Sequence, residues 1–123
     1  MKINPYLSFN GNCAEAVALY EKAFNVKAEV AMCDQIKTNV AHAEFEIDGN
    51  VIMLFDSGEP VTVGDSVMIT ILFDEAEKAK AKKAFDTLAK GGEVIMPMEA
   101  TSWSKCFGLL SDKFGIKWNI CQI

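Results

Sequence analysis

The chain has 123 residues, which suits one domain with its own core at the usual ~100–200 residues per domain. Half of the residues are apolar and 24% are charged, which excludes a disordered or low-complexity chain. The net charge is −5 and every basic residue is lysine, so neither a nucleic-acid partner nor an arginine-clamped phosphate site is expected.

The first half of the chain predicts one helix among four strands. Asn12 is a suitable helix N-cap, with Glu15 as its capping-box partner, and Asn25 can provide the left-handed stop. Asp48-Gly49 is a strong hairpin signal between two strands. The predicted elements are a strand over residues 5–9, a helix over 13–24, and strands over 27–33, 40–47 and 51–55.

The second half repeats this plan after a loop over residues 57–65 that contains glycine and proline. Asp74 caps a helix with Glu77 at its third position, and Gly91-Gly92 ends that helix. The predicted strands cover residues 67–73, 93–98, 106–111 and 116–123.

The two halves align weakly with each other, most clearly residues 48–54 with residues 114–120. We therefore predict an α+β fold in a single domain, residues 1–123, built from two βαβββ modules over about 1–56 and 66–123. The modules would form a curved, mostly antiparallel sheet with a concave groove and with the helices outside.

Location and metal chemistry are constrained by simple counts. No segment approaches the ~18 apolar residues of a membrane span, and the N-terminus has no signal-peptide core, so we expect a cytoplasmic protein without a membrane partner. The single histidine, His42, excludes a His-rich metal site. The cysteines show no C-x-x-C spacing and are expected to be small buried side chains; they are Cys13, Cys33, Cys106 and Cys121.

Three stretches carry a family resemblance: residues 5–12 with the following helix, Ala41-His-Ala-Glu44, and residues 106–119. They resemble the vicinal oxygen chelate superfamily, which includes glyoxalase I, the extradiol dioxygenases and the bleomycin and fosfomycin resistance proteins. More narrowly, they are similar to its PhnB-like branch, often labelled 3-demethylubiquinone 3-methyltransferase. The chain lacks the glycine-rich strand–helix turn that cradles S-adenosylmethionine. The resemblance implies a homodimer.

Enzymes of the superfamily hold a divalent metal with His, Glu or Gln from four strands. The resemblance places these ligand positions on Pro5, Met53, Met68 and Asn119. Two thioethers, a proline and one amide do not suit a metal that takes oxygen and nitrogen ligands. We therefore expect no metal and no other cofactor.

Two sets of side chains are candidates for function. His42 and Glu44 lie two residues apart on one strand face, as a general base oriented by a carboxylate or as an ordinary exposed pair. The second set is a mainly apolar ligand surface, although its methionines equally suit core packing and its tryptophan suits packing or a dimer contact. Its members are Leu7, Phe9, Met53, Met68 and Trp103, with Asn119 as the polar anchor.

The favoured function is a metal-free small-molecule-binding protein whose ligand is apolar or aromatic. One alternative is a metal-dependent lyase, isomerase or dioxygenase of the superfamily; a metal-free version of such an enzyme would depend on His42 and Glu44. The other is a non-catalytic assembly protein whose groove is filled by its own side chains.

Overall fold

A computed structural model describes all residues, 1–123, and its internal contacts divide the chain into two compact units, Met1–Thr62 and Val63–Ile123. Each unit has the order strand, helix, three strands, and each builds a four-stranded sheet. The boundary between the units lies within the loop predicted over residues 57–65. The predicted α+β class with two βαβββ modules is confirmed.

The first unit consists of β1 (Tyr6–Phe9), α1 (Cys13–Phe24), β2 (Glu29–Met32), β3 (Val40–Ile47) and β4 (Asn50–Asp56). Its strand order is β1-β4-β3-β2, with β1 parallel to β4 and the other pairs antiparallel. The predicted hairpin turn is present, because Asp48 and Gly49 both have positive φ, 49° and 86°, as a type I′ turn requires.

Helix α1 covers one face of this sheet. Its buried stripe includes Tyr20, and the ring of Phe24 stacks on Phe45 of β3 with centroids 5.9 Å apart. Leu54 of β4 is fully buried beneath the helix. The residues that alternate with Phe45 and Leu54 therefore belong to the other face of the sheet.

The N-terminus of α1 corrects one sequence prediction. Asn12 makes no side-chain capping bond. Asp56, at the end of β4, supplies the acceptor: one oxygen accepts from the N–H groups of Gly11 and Cys13, at 2.9 and 3.0 Å, and the other from Val40 at 2.8 Å. A carboxylate is a better partner for these donors than an amide, since it is charged and has two acceptor oxygens.

The second unit consists of β5 (Met68–Phe73), a 3₁₀ turn (Glu75–Glu77), α2 (Lys78–Leu88), β6 (Glu93–Glu99), β7 (Phe107–Ser111) and β8 (Lys117–Gln122). Its strand order, β5-β8-β7-β6, repeats that of the first unit, with β5 parallel to β8. Both bonds of the predicted Asp74–Glu77 capping box are present. Helix α2 ends before the predicted Gly91-Gly92 stop.

The core of the second unit is centred on Trp118, which is fully buried and donates from its indole N–H to Asp112 at 3.0 Å. The same aspartate accepts the backbone N–H groups of Phe114 and Ile116, so it shapes the turn before β8. Neither helix of the chain has both the length and the hydropathy that crossing a bilayer requires.

Candidate functional site

The face of the first sheet that α1 leaves uncovered carries the chemistry-bearing side chains of this unit. On β3, His42 and Glu44 alternate with the buried Ala43 and Phe45, so they point away from the helix. In β4, Met53 lies between Glu44 on one side and Tyr6 of β1 on the other. We call this surface the open face, defined by Tyr6, His42, Glu44, Met53 and Phe55.

Three of these side chains form a continuous hydrogen-bonded network. The Tyr6 hydroxyl lies 2.8 Å from Nδ1 of His42, and Nε2 of His42 lies 2.9 Å from a carboxylate oxygen of Glu44. The side chains remain accessible, since Tyr6 is 48% exposed and those of His42 and Glu44 are 39% and 41% exposed. We call these three residues the Tyr–His–Glu network.

Aromatic contacts fix the Tyr6 ring within the open face. It meets Phe55 edge-on, with centroids 4.8 Å apart, and the His42 ring edge-on at 5.5 Å. Such edge-to-face pairs are favourable because the positive edge of one ring meets the negative face of the other. Tyr6 is therefore held by two rings as well as by its hydroxyl.

Leu7 and Phe9 do not belong to the open face, so they do not share a face with Met53 as predicted. In the parallel β1–β4 ladder Leu7 is paired with Leu54, and paired residues share a face. Phe9 is buried, with 3% exposure. Both side chains pack on the helix side of the sheet. Met53 does lie on the open face, where it is half-buried.

The remaining candidates are in the second unit. Met68 is exposed on β5, beside Lys117 of β8. Asn119 is buried and its amide donates to the backbone carbonyl of Gly108 at 2.8 Å, so the predicted polar anchor already has a protein partner for that donor. Trp103 is 64% exposed and packs edge-on against Phe107 at 5.4 Å.

The cysteines have different environments. Burial, with a smaller contribution from the nearby charge of Asp56, raises the pKa of the Cys13 thiol to about 12. A thiol in this state is neutral and is not a nucleophile at ordinary pH. Cys106 is also buried, whereas Cys33 and Cys121 are partly accessible.

A protein-family model and a known relative both match nearly the whole chain. The model of the family described as 3-demethylubiquinone-9 3-methyltransferase matches residues 1–121. The chain belongs to this family. It is 31% identical to protein YjdN of Escherichia coli, an alignment that covers 98% of this chain and 94% of YjdN.

Solved structures agree with this assignment. A putative 3-demethylubiquinone-9 3-methyltransferase, PhnB protein, from Bacillus cereus is 26% identical, with a TM-score of 0.84 and complete coverage of both chains. The fosfomycin resistance protein FosX from Listeria monocytogenes shares the fold, with a TM-score of 0.67 at 12% identity over 98% of this chain and 90% of FosX. The chain is thus a PhnB-like member of the vicinal oxygen chelate superfamily.

The residues that the resemblance assigns to the superfamily's ligand positions do not fit a divalent metal. Pro5 has no donor side chain and uses its backbone carbonyl to accept from the N–H of Met53 at 3.0 Å. Met53 and Met68 offer only thioether sulfur, and the Asn119 amide donates to Gly108. No group of three or more His, Cys, Asp or Glu side chains is arranged to hold a metal ion. No reaction step can be assigned to a metal at these positions.

Sequence reasoning had missed Tyr6, Phe55 and Asp56. Tyr6 joins the open face because β1 pairs in parallel with β4, a long-range contact that local patterns do not encode. Phe55 lies two residues after Met53, on the same face of β4. One signal was available: if Phe9 is assigned to the core, strand alternation places Tyr6 on the opposite face.

Proposed function

We propose that this protein binds a small molecule without using a metal, and that the open face of the first unit is where the ligand docks. The observation that carries the proposal is the accessible Tyr–His–Glu network beside Met53 and Phe55. Ligand sites commonly combine apolar and aromatic surface with a few fixed polar groups, and this face has both.

An aromatic or otherwise flat ligand suits this surface best. Phe55 and Tyr6 offer ring edges and faces for stacking, and the flexible, polarisable thioether of Met53 adapts to irregular apolar shapes. We do not propose a methyltransferase activity, because the chain lacks the glycine-rich strand–helix turn for the methyl donor.

Methionine methyl NMR tests the proposal directly. The chain has six methionines, so each gives a resolvable methyl signal once assigned by substitution. Titration with a panel of substituted benzenes and naphthalenes should shift the Met53 signal in a saturable way, while exposed Met1 serves as an internal control. A panel that leaves Met53 unmoved at high concentration would refute binding at the open face.

Metal analysis separates the binding proposal from the metal-dependent lyase, isomerase or dioxygenase. The protein should be purified without nickel resin or chelator, incubated with Ni²⁺, Mn²⁺, Fe²⁺ or Zn²⁺, and desalted. We expect far less than one metal ion per chain, because the positions discussed above offer no suitable donor set. Stoichiometric retention would contradict the proposal and favour the enzyme.

We also propose that the protein forms a homodimer. Self-association is also what the alternative of a non-catalytic assembly protein requires. Exposed apolar side chains on the edge strands β2 and β6, among them Val30, Met32 and Val94, support association. Sedimentation equilibrium should give about twice the chain mass. A monomer at all concentrations would contradict this part of the proposal.

A further inference from the structure

The proton positions in the Tyr–His–Glu network follow from donor chemistry. An ionised carboxylate only accepts, so Nε2 of His42 must carry the hydrogen that it shares with Glu44. In a neutral imidazole the other nitrogen, Nδ1, is then an acceptor. The Tyr6 hydroxyl must donate to it across the 2.8 Å contact. The Tyr6 oxygen consequently presents its free lone pair to the solvent side of the open face.

Protonation of His42 reverses the direction of one bond only. With both ring nitrogens protonated, Nε2 still donates to Glu44, while Nδ1 now donates to the Tyr6 oxygen. The hydroxyl hydrogen of Tyr6 is then free to point outward. The same three side chains thus offer an outward acceptor when His42 is neutral and an outward donor when it is charged.

We propose that the Tyr–His–Glu network is an acid–base site that binds the hydroxyl of a phenol or enol and takes up its proton. This inference rests on the proposed function, since it names the chemical class of the ligand at the same open face. In the step, the ligand O–H bond breaks and its proton forms a new O–H bond on Tyr6. The former hydroxyl proton of Tyr6 moves to Nδ1 of His42, and no electrons are exchanged with any other reactant.

The charges formed by this proton transfer, the ligand oxyanion and the imidazolium of His42, are stabilised by neighbouring groups. The ligand oxyanion accepts from the Tyr6 hydroxyl, and the imidazolium of His42 lies between Tyr6 and the carboxylate of Glu44. On the neighbouring strand Glu29 lies opposite Glu44, and Ala31, which has no charge, lies opposite His42. Glu46 follows two residues later on the same face of β3. The positive charge therefore develops among carboxylates, which is favourable.

Two matched probes test the step on the full chain: 4-nitrophenol, which becomes yellow on ionisation, and its methyl ether 4-nitroanisole, which has no proton to lose. The titration is done at a pH where the free phenol is mostly protonated and where the ¹⁵N spectrum of the protein without probe shows a neutral His42. We expect protein addition to produce the phenolate band. Because His42 is the only histidine, its ring ¹⁵N signals are unambiguous and should move toward the imidazolium pattern with 4-nitrophenol but not with 4-nitroanisole.

Variants locate the effect. Tyr6→Phe keeps the ring that packs on Phe55 and removes the hydroxyl, and His42→Gln removes the proton acceptor. Both should lose the phenolate band with 4-nitrophenol, and the Met53 methyl shift reports separately how much of each probe they still bind. Thr38→Ala, which removes a hydroxyl from an exposed loop of the same unit, is the control and should keep the phenolate band.

The outcomes separate the two proposals. If both probes shift the Met53 methyl signal but the bound phenol stays protonated and His42 stays neutral, the acid–base inference is overturned while small-molecule binding stands. If neither probe shifts Met53, both proposals fail. If Tyr6→Phe keeps a full phenolate band, the proton does not pass through Tyr6 and the inference is wrong. The histidine spectrum of the unaltered protein distinguishes these outcomes even if a variant fails to fold.

Discussion

Replacing Asp56 by alanine should destabilise the first unit strongly, because a single carboxylate accepts three backbone N–H groups from separate parts of the chain. Water can replace the bond to exposed Gly11. The donors of Cys13 and Val40 are partly buried, and each such unsatisfied group costs ~1–3 kcal/mol. We therefore expect a loss of about 3–4 kcal/mol in the free energy of unfolding.

Asparagine at position 56 should remove only part of the stabilisation, because it keeps one acceptor oxygen. Its amide oxygen can still accept from Gly11 and Cys13, but its NH₂ group would face the N–H of Val40, donor against donor. We expect Asp56→Asn to lose about 1.5–2 kcal/mol, roughly half of the alanine effect. The control is Asp34→Ala in an exposed loop, which should change stability by less than ~0.5 kcal/mol.

Urea unfolding followed by far-ultraviolet circular dichroism measures these differences, provided that the m-value is unchanged. Tryptophan fluorescence reports the unfolding of the second unit separately, because both tryptophans, Trp103 and Trp118, belong to it. If Asp56→Ala unfolds within ~0.5 kcal/mol of the unaltered protein, the carboxylate is not the acceptor that these N–H groups depend on.

Two further predictions concern a glycine and a thiol. Gly92→Ala should destabilise by several kcal/mol, because its Cβ would clash with the backbone carbonyl oxygen of Ser111. Gly58→Ala, in open space, should be neutral, and equal melting temperatures for the two variants would contradict this. Burial raises the pKa of the Cys13 thiol from 9.0 to about 12. Between these two pH values the thiol is protonated in the folded protein and ionised in the unfolded chain. Stability should be unaffected by this group below pH 9 and should fall above it by up to ~1.4 kcal/mol per pH unit until about pH 12. Cys13→Ala should flatten that slope in alkaline urea titrations; identical slopes for Cys13→Ala and the unaltered protein would contradict the assignment.

Elements governed by local signals were predictable from the sequence. Helix α1 has the predicted bounds, Cys13–Phe24, because an apolar stripe and the left-handed Asn25 define it locally. The capping box of Asp74 and the Asp48-Gly49 turn are equally local. Strand β2 is shorter than the predicted 27–33, since an exposed edge strand has little apolar alternation to mark its ends.

The candidate site was only half predictable. His42 and Glu44 are two residues apart, so strand geometry alone places them together. Tyr6 is 36 residues from His42 in sequence, and their contact depends on β1 pairing in parallel with β4. β1 is short and mostly apolar, so its pattern did not distinguish the helix side from the open face. The predicted grouping of Leu7 and Phe9 with Met53 on one face was therefore wrong.

The internal repeat explains why the proton chemistry is confined to one unit. Met53 of β4 and Asn119 of β8 occupy equivalent positions, each between a parallel and an antiparallel neighbour. The neighbours of Met53 are Tyr6 and Glu44, with His42 two residues before Glu44. The equivalent positions around Asn119 are occupied by Thr70, Leu109 and Phe107.

The second unit thus has the same strand order and register without an imidazole or a carboxylate at these three positions. A hydroxyl with two apolar neighbours can donate or accept one hydrogen bond, but it has no base to receive its proton. The scaffold alone therefore cannot confer acid–base chemistry, which requires the particular side chains placed on its open strand positions. The difference also makes the second unit an internal comparison: a phenol that met only its sheet would remain protonated.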